Sequence, residues 1–279
     1  MTKLIVSTSD FEKWRQGCQG SVALVPTMGN LHQGHVSLVE EAVKEHDVTV
    51  VTIFVNPKQF GPGEDFERYP RTMQDDLEAL KSIHGQIVVF APSSAEEIYP
   101  DGFATQISLP EISSELCGKS RPTHFAGVTT VVYQLFAIAK PKTAFFGLKD
   151  YQQVKIIERM TSDLRLPVKI KALPIIRDND GLAMSSRNRY LSSDQRLEAL
   201  LLPKTLRAAK EILQTQGVDA CQSFLNETKS KPGWDYLELR HADSLRQIAS
   251  DDRFFVLAGA LFVGQTRIID NIVVELNVR

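Results

Sequence analysis

The chain has 279 residues, 43% of them hydrophobic and 24% charged, with a formal net charge of −2. This is the composition of a globular protein, long enough for one large domain or two ordinary ones. The near-neutral balance provides no basic field for a nucleic acid or an anionic membrane. Residues 1–14 lack the apolar core of a signal peptide, and no apolar run approaches the ~18 residues of a membrane span. A cytoplasmic protein with no nucleic-acid partner and no membrane partner is therefore expected. Cys18, Cys117 and Cys221 are odd in number and far apart, which argues against a disulfide framework or a cysteine-based metal site. All three thiols are expected to be buried.

In chain order, residues 21–26 (SVALVP) form a short apolar run that predicts a buried strand. Residues 35–46 place Val36, Val39 and Val43 at helical spacing, with Glu40, Glu41 and Lys44 outward. The β-branched run 47–55 predicts a strand, 72–84 an amphipathic helix and 86–92 another strand. A mostly apolar helix follows at 127–140, then strands at 142–147 and 166–176 flanking a helix at 151–163. Such alternation predicts an α/β, Rossmann-like parallel sheet with helices on both faces. Its ligand crevice would lie beyond the carboxyl ends of the strands. After residue 177 the pattern changes. A long helical region at 194–217, with Pro203 marking its first turn or a break, precedes strand-like runs at 234–242, 254–263 and 267–276. The turn-rich RDNDG stretch sets the expected boundary. Residues 1–177 would form the first domain and 178–279 a smaller α+β domain with an antiparallel sheet.

Residues 26–35 (PTMGNLHQGH) stand where the first long strand gives way to a helix. Gly29 and Gly34 allow a tight turn and a close approach to a ligand. A helix start presents unsatisfied N–H groups and a positive dipole end, which suit phosphate. His32 and His35, three apart, could donate to that anion, or could simply cap the helix. The spacing fits no common zinc site, and no metal ligand set is expected; nor is GxxxxGK[ST] present. Residues 183–191 (AMSSRNRYL) could supply the basic partner, since Arg187 brings a permanent, forked charge and Ser185 and Ser186 bring hydrogen-bonding hydroxyls. The acidic residues Glu64, Asp65, Glu67, Asp75 and Asp76 are expected on a solvated loop and on the first turn of a helix, with a metal-binding role for Asp75 or Asp76 as the weaker alternative.

HxGH paired with Ser-Ser-Arg in an α/β chain resembles the HIGH-motif nucleotidyltransferase superfamily. There, a first motif and a mobile second one grip the triphosphate of ATP while a carboxylate or phosphate attacks the α-phosphorus. Three further stretches, FVNPKQFGPGEDFERYPRT (54–72), GKSRPTHFAGVTTVV (118–132) and FFGLKDYQQ (145–153), occur in order with these two. All five are similar to the pantothenate synthetase, or pantoate–β-alanine ligase, family. The chain departs from the family's usual residues at Asn30 (Ala), Gln33 (Glu), Thr123 (Gly) and Leu148 (Glu or Gln). A slightly different turn is expected at Thr123.

The resemblance implies that Met28, Gly29, Asn30, Leu31, His32, Gln33, Gly34 and His35 contact ATP, with His35 as the acid at the phosphates and His32 beside it. It adds Gly147, Leu148, Lys149, Asp150, Ile176, Met184, Ser185, Ser186 and Arg187 to the nucleotide site, with Lys149 and Arg187 catalytic. It assigns Gln59 and Gln153 to pantoate. The implied reaction condenses pantoate with β-alanine through a pantoyl adenylate, using ATP with Mg²⁺ and no tightly bound organic cofactor. A homodimer is implied too, and the second domain is expected to act as a lid over the adenylate. A cytidylyl- or adenylyltransferase of the same superfamily, or a nucleotide-binding regulatory protein, stands as the alternative.

Overall fold

The computed structural model describes residues 2–276. The chain divides into two compact units: Met1–Leu109, Thr123–Leu148 and Ile156–Pro174 form the first, and Pro110–Pro122, Lys149–Lys155 and Ile175–Arg279 form the second. Two early stretches thus group with the C-terminal unit, so the division is not a single cut of the chain.

The first unit contains a six-stranded, all-parallel sheet. Its strands are β1 (Lys3–Ile5), β2 (Val22–Thr27), β3 (Val48–Ile53), β4 (Ile87–Phe90), β5 (Thr143–Gly147) and β6 (Lys169–Leu173), in the order β1-β4-β3-β2-β5-β6. β2 and β3 are buried along nearly their whole length, so neither alternates with exposed polar residues, and the threonines of β3, Thr49 and Thr52, are buried with its valines. α1 (Thr8–Gly17), α2 (Gln33–Glu45), α3 (Met73–Lys81) and α6 (His124–Ala139) complete the layers, with the short α4 (Pro110–Ser113) and α5 (Cys117–Ser120) belonging to the second unit. Val39 and Ala42 of α2 and Leu80 of α3 pack on one sheet face, against Ala23, Val25, Val51, Ile53 and Val89. On the other face Phe11 of α1 stacks on Phe90, with ring centroids 4.5 Å apart. Arg15 ties α1 to α6 through the Ala139 carbonyl, 2.7 Å away.

Two details differ from the expected pattern. The buried stripe of α2 centres on Leu38, Val39 and Ala42, while Val36 and Val43 are only partly buried. β1 and α1 leave almost no apolar signature, since β1 has three residues and α1 buries only Phe11. The one local mark of α1 is its cap, where the Ser7 hydroxyl accepts from the Asp10 N–H.

In the second unit, the region expected as one helix is two, α8 (Ser193–Ala199) and α9 (Leu201–Gln216). Pro203 lies in the first turn of α9, where its missing N–H removes no intrahelical bond. An unanticipated α10 (Val218–Lys229) follows. β7 (Trp234–His241), β8 (Phe254–Val263) and β9 (Thr266–Glu275) form an antiparallel sheet in that order. Leu237, Leu239, Leu257 and Leu261 on that sheet pack with Leu202, Leu206 and Leu213 of α9 and Leu225 of α10.

Among the described residues no helix is long and apolar enough to cross a membrane. The thiols correct one expectation. Cys117 and Cys221 are buried, but Cys18, just past the exposed end of α1, is half-buried. Burial pushes the Cys221 thiol up to about 11, away from the reactive thiolate. An aromatic disulfide reagent should therefore titrate Cys18 in the native protein and reach Cys117 and Cys221 only after denaturation. Rapid release of three equivalents from native protein would contradict this.

Candidate active site

In the first unit the strand order reverses between β2 and β5, which pair in parallel at Ala23–Thr143 and Leu24–Ala144. In open parallel sheets ligands bind beyond the carboxyl ends of the strands at such a switch point. Residues 28–35 leave β2 at that end. Gly29 (φ 83°) and Asn30 (φ 51°) both adopt left-handed backbone, and the pair turns the chain back toward α2. Asparagine tolerates that conformation better than alanine, which suits Asn30 in place of the family's usual residue. The turn is held by Asp76. Its Oδ2 accepts from the Asn30 N–H (2.9 Å) and its Oδ1 from the Leu31 N–H (2.7 Å). Asp76 was expected on a solvated first turn; it is buried, at 2% exposure, because both oxygens serve this loop. An acidic first turn carries no local mark that separates such an anchor from a surface carboxylate.

His32 caps α2. Its Nδ1 accepts from the Gly34 N–H at 3.1 Å, and the His35 Nδ1 accepts in return from the His32 N–H at 3.4 Å. The rings lie 4.1 Å apart, inclined at 33°. A Cβ on residue 34 would stand 2.9 Å from the His32 ring, which explains the glycine between the histidines. Capping and chemistry do not compete here. A ring whose Nδ1 accepts carries its neutral-state proton on Nε2, so each imidazole is fixed in orientation and has Nε2–H as its donor.

Gln59, also buried, closes the turn Pro57–Gln59 after β3. Its environment is a chain of hydrogen bonds that the sequence did not reveal. Burial pushes the Tyr99 phenol well above its ordinary value, so it stays a donor, and it donates to Asn56 Oδ1 at 2.8 Å. That commits Asn56 Nδ2 to donate to Gln59 Oε1 (3.0 Å) and to the Gly127 carbonyl (3.1 Å). With its oxygen occupied, Gln59 presents its amide nitrogen, which meets Met28 Sδ at 3.1 Å. His124 Nδ1 donates to the Gln59 carbonyl at 2.8 Å, and Gly127 of α6 packs directly on the turn. The 54–72 and 118–132 motifs are thus two sides of one support for Gln59. Thr123 has φ −96°, so no glycine is required there. Asn56-Pro57 is a turn signal in sequence, but nothing local named its partners.

Gly147 ends β5 and Leu148 follows it in the first unit, while Lys149, Asp150 and Gln153 belong to the second. Lys149 Nζ lies 3.6 Å from Asp150 Oδ1. Gln153 is half-buried on the first turn of α7 (Tyr151–Asp163), next to a buried neighbour with another task. Gln152 accepts from the Cys117 N–H and donates to the Ile112 and Glu115 carbonyls. Elsewhere in the second unit the Met184 N–H donates to the Ile176 carbonyl at 3.0 Å, and Ser185 Oγ accepts from the Arg187 N–H at 3.3 Å. The preceding 178–180 turn is tethered by Arg196, which reaches Asp178 (2.7 Å) and Asp180 (2.8 Å).

Comparison with known proteins shows the family. The family model described as pantoate-beta-alanine ligase matches residues 3–273. A pantothenate synthetase of Acetivibrio thermocellus is 47% identical over 260 residues, covering 91% of this chain and 92% of the relative. One from Thermosipho africanus is 45% identical with the same coverage. Among solved structures, pantothenate synthetase from Thermus thermophilus superposes with a TM-score of 0.87 at 38% identity, covering 97% of this chain and 98% of that one. Pantoate-beta-alanine ligase from Francisella tularensis, complexed with beta-gamma ATP and beta-alanine, gives 0.77 at 33% identity over 98% and 97%. The chain belongs to the pantoate–β-alanine ligase family, whose members are AMP-forming carbon–nitrogen ligases.

Proposed function

We propose that the chain condenses (R)-pantoate with β-alanine through a pantoyl-adenylate intermediate. The pantoate carboxylate attacks the α-phosphorus of MgATP, and the bond to the pyrophosphate oxygen breaks. The β-alanine amine then attacks the acyl carbon and expels AMP, leaving pantothenate. Mg²⁺ would enter with ATP, as part of the substrate, and would offset phosphate charge there. The observation that carries this reading is the paired imidazoles, each with Nδ1 tied to backbone and its proton on Nε2, at a helix start beside the sheet's switch point. There they stabilise charge developing on the phosphates, with His35 as the acid and His32 beside it.

Residues Met28 to His35, Gly147 to Asp150, Ile176 and Met184 to Arg187 hold the nucleotide. Lys149 and Arg187 add a point charge and a forked charge for phosphate, and Asp150 accepts from ribose hydroxyls. Gln59 and Gln153 read pantoate, Gln59 through its amide N–H. A cytoplasmic homodimer, as the family resemblance implies, belongs to the same reading. The deciding measurement is ATP–pyrophosphate exchange. It should occur with pantoate alone, because adenylation precedes the amine's arrival; exchange that requires β-alanine would overturn the two-step scheme.

A further inference from the structure

Residues 268–274 of β9 are apolar except for Asp270 and Asn271, which are 3% and 5% exposed. Buried polar side chains persist where specific partners satisfy them. Here the partners lie in both stretches of the second unit that the nucleotide reading uses. Arg177 grips the Asp270 carboxylate with its whole fork, Nη1 to Oδ2 at 2.6 Å and Nη2 to Oδ1 at 2.9 Å, and Nη1 also donates to the Gly181 carbonyl at 3.1 Å. Asp270 Oδ1 accepts the Asn271 backbone N–H at 2.8 Å. Asn271 Nδ2 donates to the Lys149 carbonyl at 3.0 Å. Arg177 in turn pairs with Ala183 in a single antiparallel bridge, at the root of the Met184–Arg187 segment.

We propose that Asn271 is a positioning residue for Lys149, and that the Arg177–Asp270 pair sets Asn271 and the root of the Met184–Arg187 segment together. The proposal rests on the reading that Lys149 acts on ATP. A lysine side chain is a long, flexible stem with a compact charge at its tip. Where that charge falls depends first on the peptide plane from which the stem departs. Asn271 fixes that plane at the Lys149 carbonyl, and the forked ion pair fixes Asn271. Errors of about 1 Å in a charge placed for phosphoryl transfer cost rate steeply.

A double-mutant cycle on the full chain, read as kcat/KM for ATP, tests this. Asn271→Ala should lower kcat/KM for ATP about tenfold, the scale of one lost orienting hydrogen bond, with KM for pantoate unchanged. In a Lys149→Ala background the same substitution should cost less than about twofold, because the charge it positions is gone. Equal losses in both backgrounds, no loss at all, or an equal loss for pantoate would overturn the proposal. Normal ATP kinetics in Lys149→Ala alone would instead overturn the reading of Lys149, and this proposal with it. Should Asn271→Ala fail to fold, Asn271→Ser, whose shorter hydroxyl does not span to the carbonyl, passes through the same cycle with the same expected and overturning outcomes.

Discussion

His35→Ala lowers the rate of pantoyl-adenylate formation about 10²–10³-fold, the scale of losing one donor to developing charge. It also removes half of the reciprocal cap on α2, since His35 Nδ1 accepts from the His32 N–H, which costs roughly 1 kcal/mol of stability. The two losses are separable. Glutamine is the residue type that usually closes such a cap from the third helical position. His35→Gln should therefore recover most of the stability, while the rate stays down by about 10² because the amide, with its oxygen turned back to the cap, does not hold an N–H where the imidazole Nε2–H stands. Single-turnover adenylation and thermal unfolding on both variants decide it. A His35→Ala enzyme with lowered stability and near-normal adenylation would reduce the histidine to a cap.

Gly127→Ala destabilises the first unit by about 3 kcal/mol, at the upper end for overpacking. The added Cβ would stand 2.2 Å from the Lys58 carbonyl oxygen and 2.7 Å from Gln59 Cα. Those are backbone atoms of the turn that carries Gln59, so no side chain can swing away to make room. α6 must retreat from the turn, carrying with it the Asn56 contact to the Gly127 carbonyl and the His124 contact to the Gln59 carbonyl. Displacing Gln59 in this way should lower kcat/KM for pantoate about 10²-fold. Gly17→Ala is the control, because a Cβ there meets nothing within 4 Å, and it should change stability by less than about 0.5 kcal/mol. Denaturant unfolding that gave the same midpoint for Gly127→Ala and wild type would show that the contact yields.

Much of the architecture was legible because the relevant signals are local. β2 and β3 are buried on both faces, so β2 is nearly all apolar and β3 all β-branched, with no exposed alternation. α7 runs over Tyr151–Asp163, the range that its helical spacing implies. Elements with little to bury, such as β1 and α1, left only a capping serine to find them by. The stretch 110–122 gave no comparable mark, whereas α10 carries Cys221, Leu225 and Thr228 on one face at helical spacing.

At the site, the residues that meet substrate in the proposed reaction stand in motifs of a few consecutive positions, so the sequence by itself marked the histidine pair and the Ser185–Arg187 run, and the family resemblance added Gln59 and Lys149. For Gly34 the sequence offered a tight turn and a close approach to a ligand, whereas the structure sets the His32 ring 2.9 Å from where a Cβ would stand. Only the tertiary structure decided what holds those groups in place. Asp76 answers backbone groups 45 and 46 positions earlier, Asn56 reaches 71 positions to Gly127, and Asn271 reaches back 122 positions to Lys149. The physical reason is that a side chain's spacing along the chain settles which face of its own element it occupies, whereas a buried polar group is satisfied by whichever donor or acceptor the packing of other elements delivers to it.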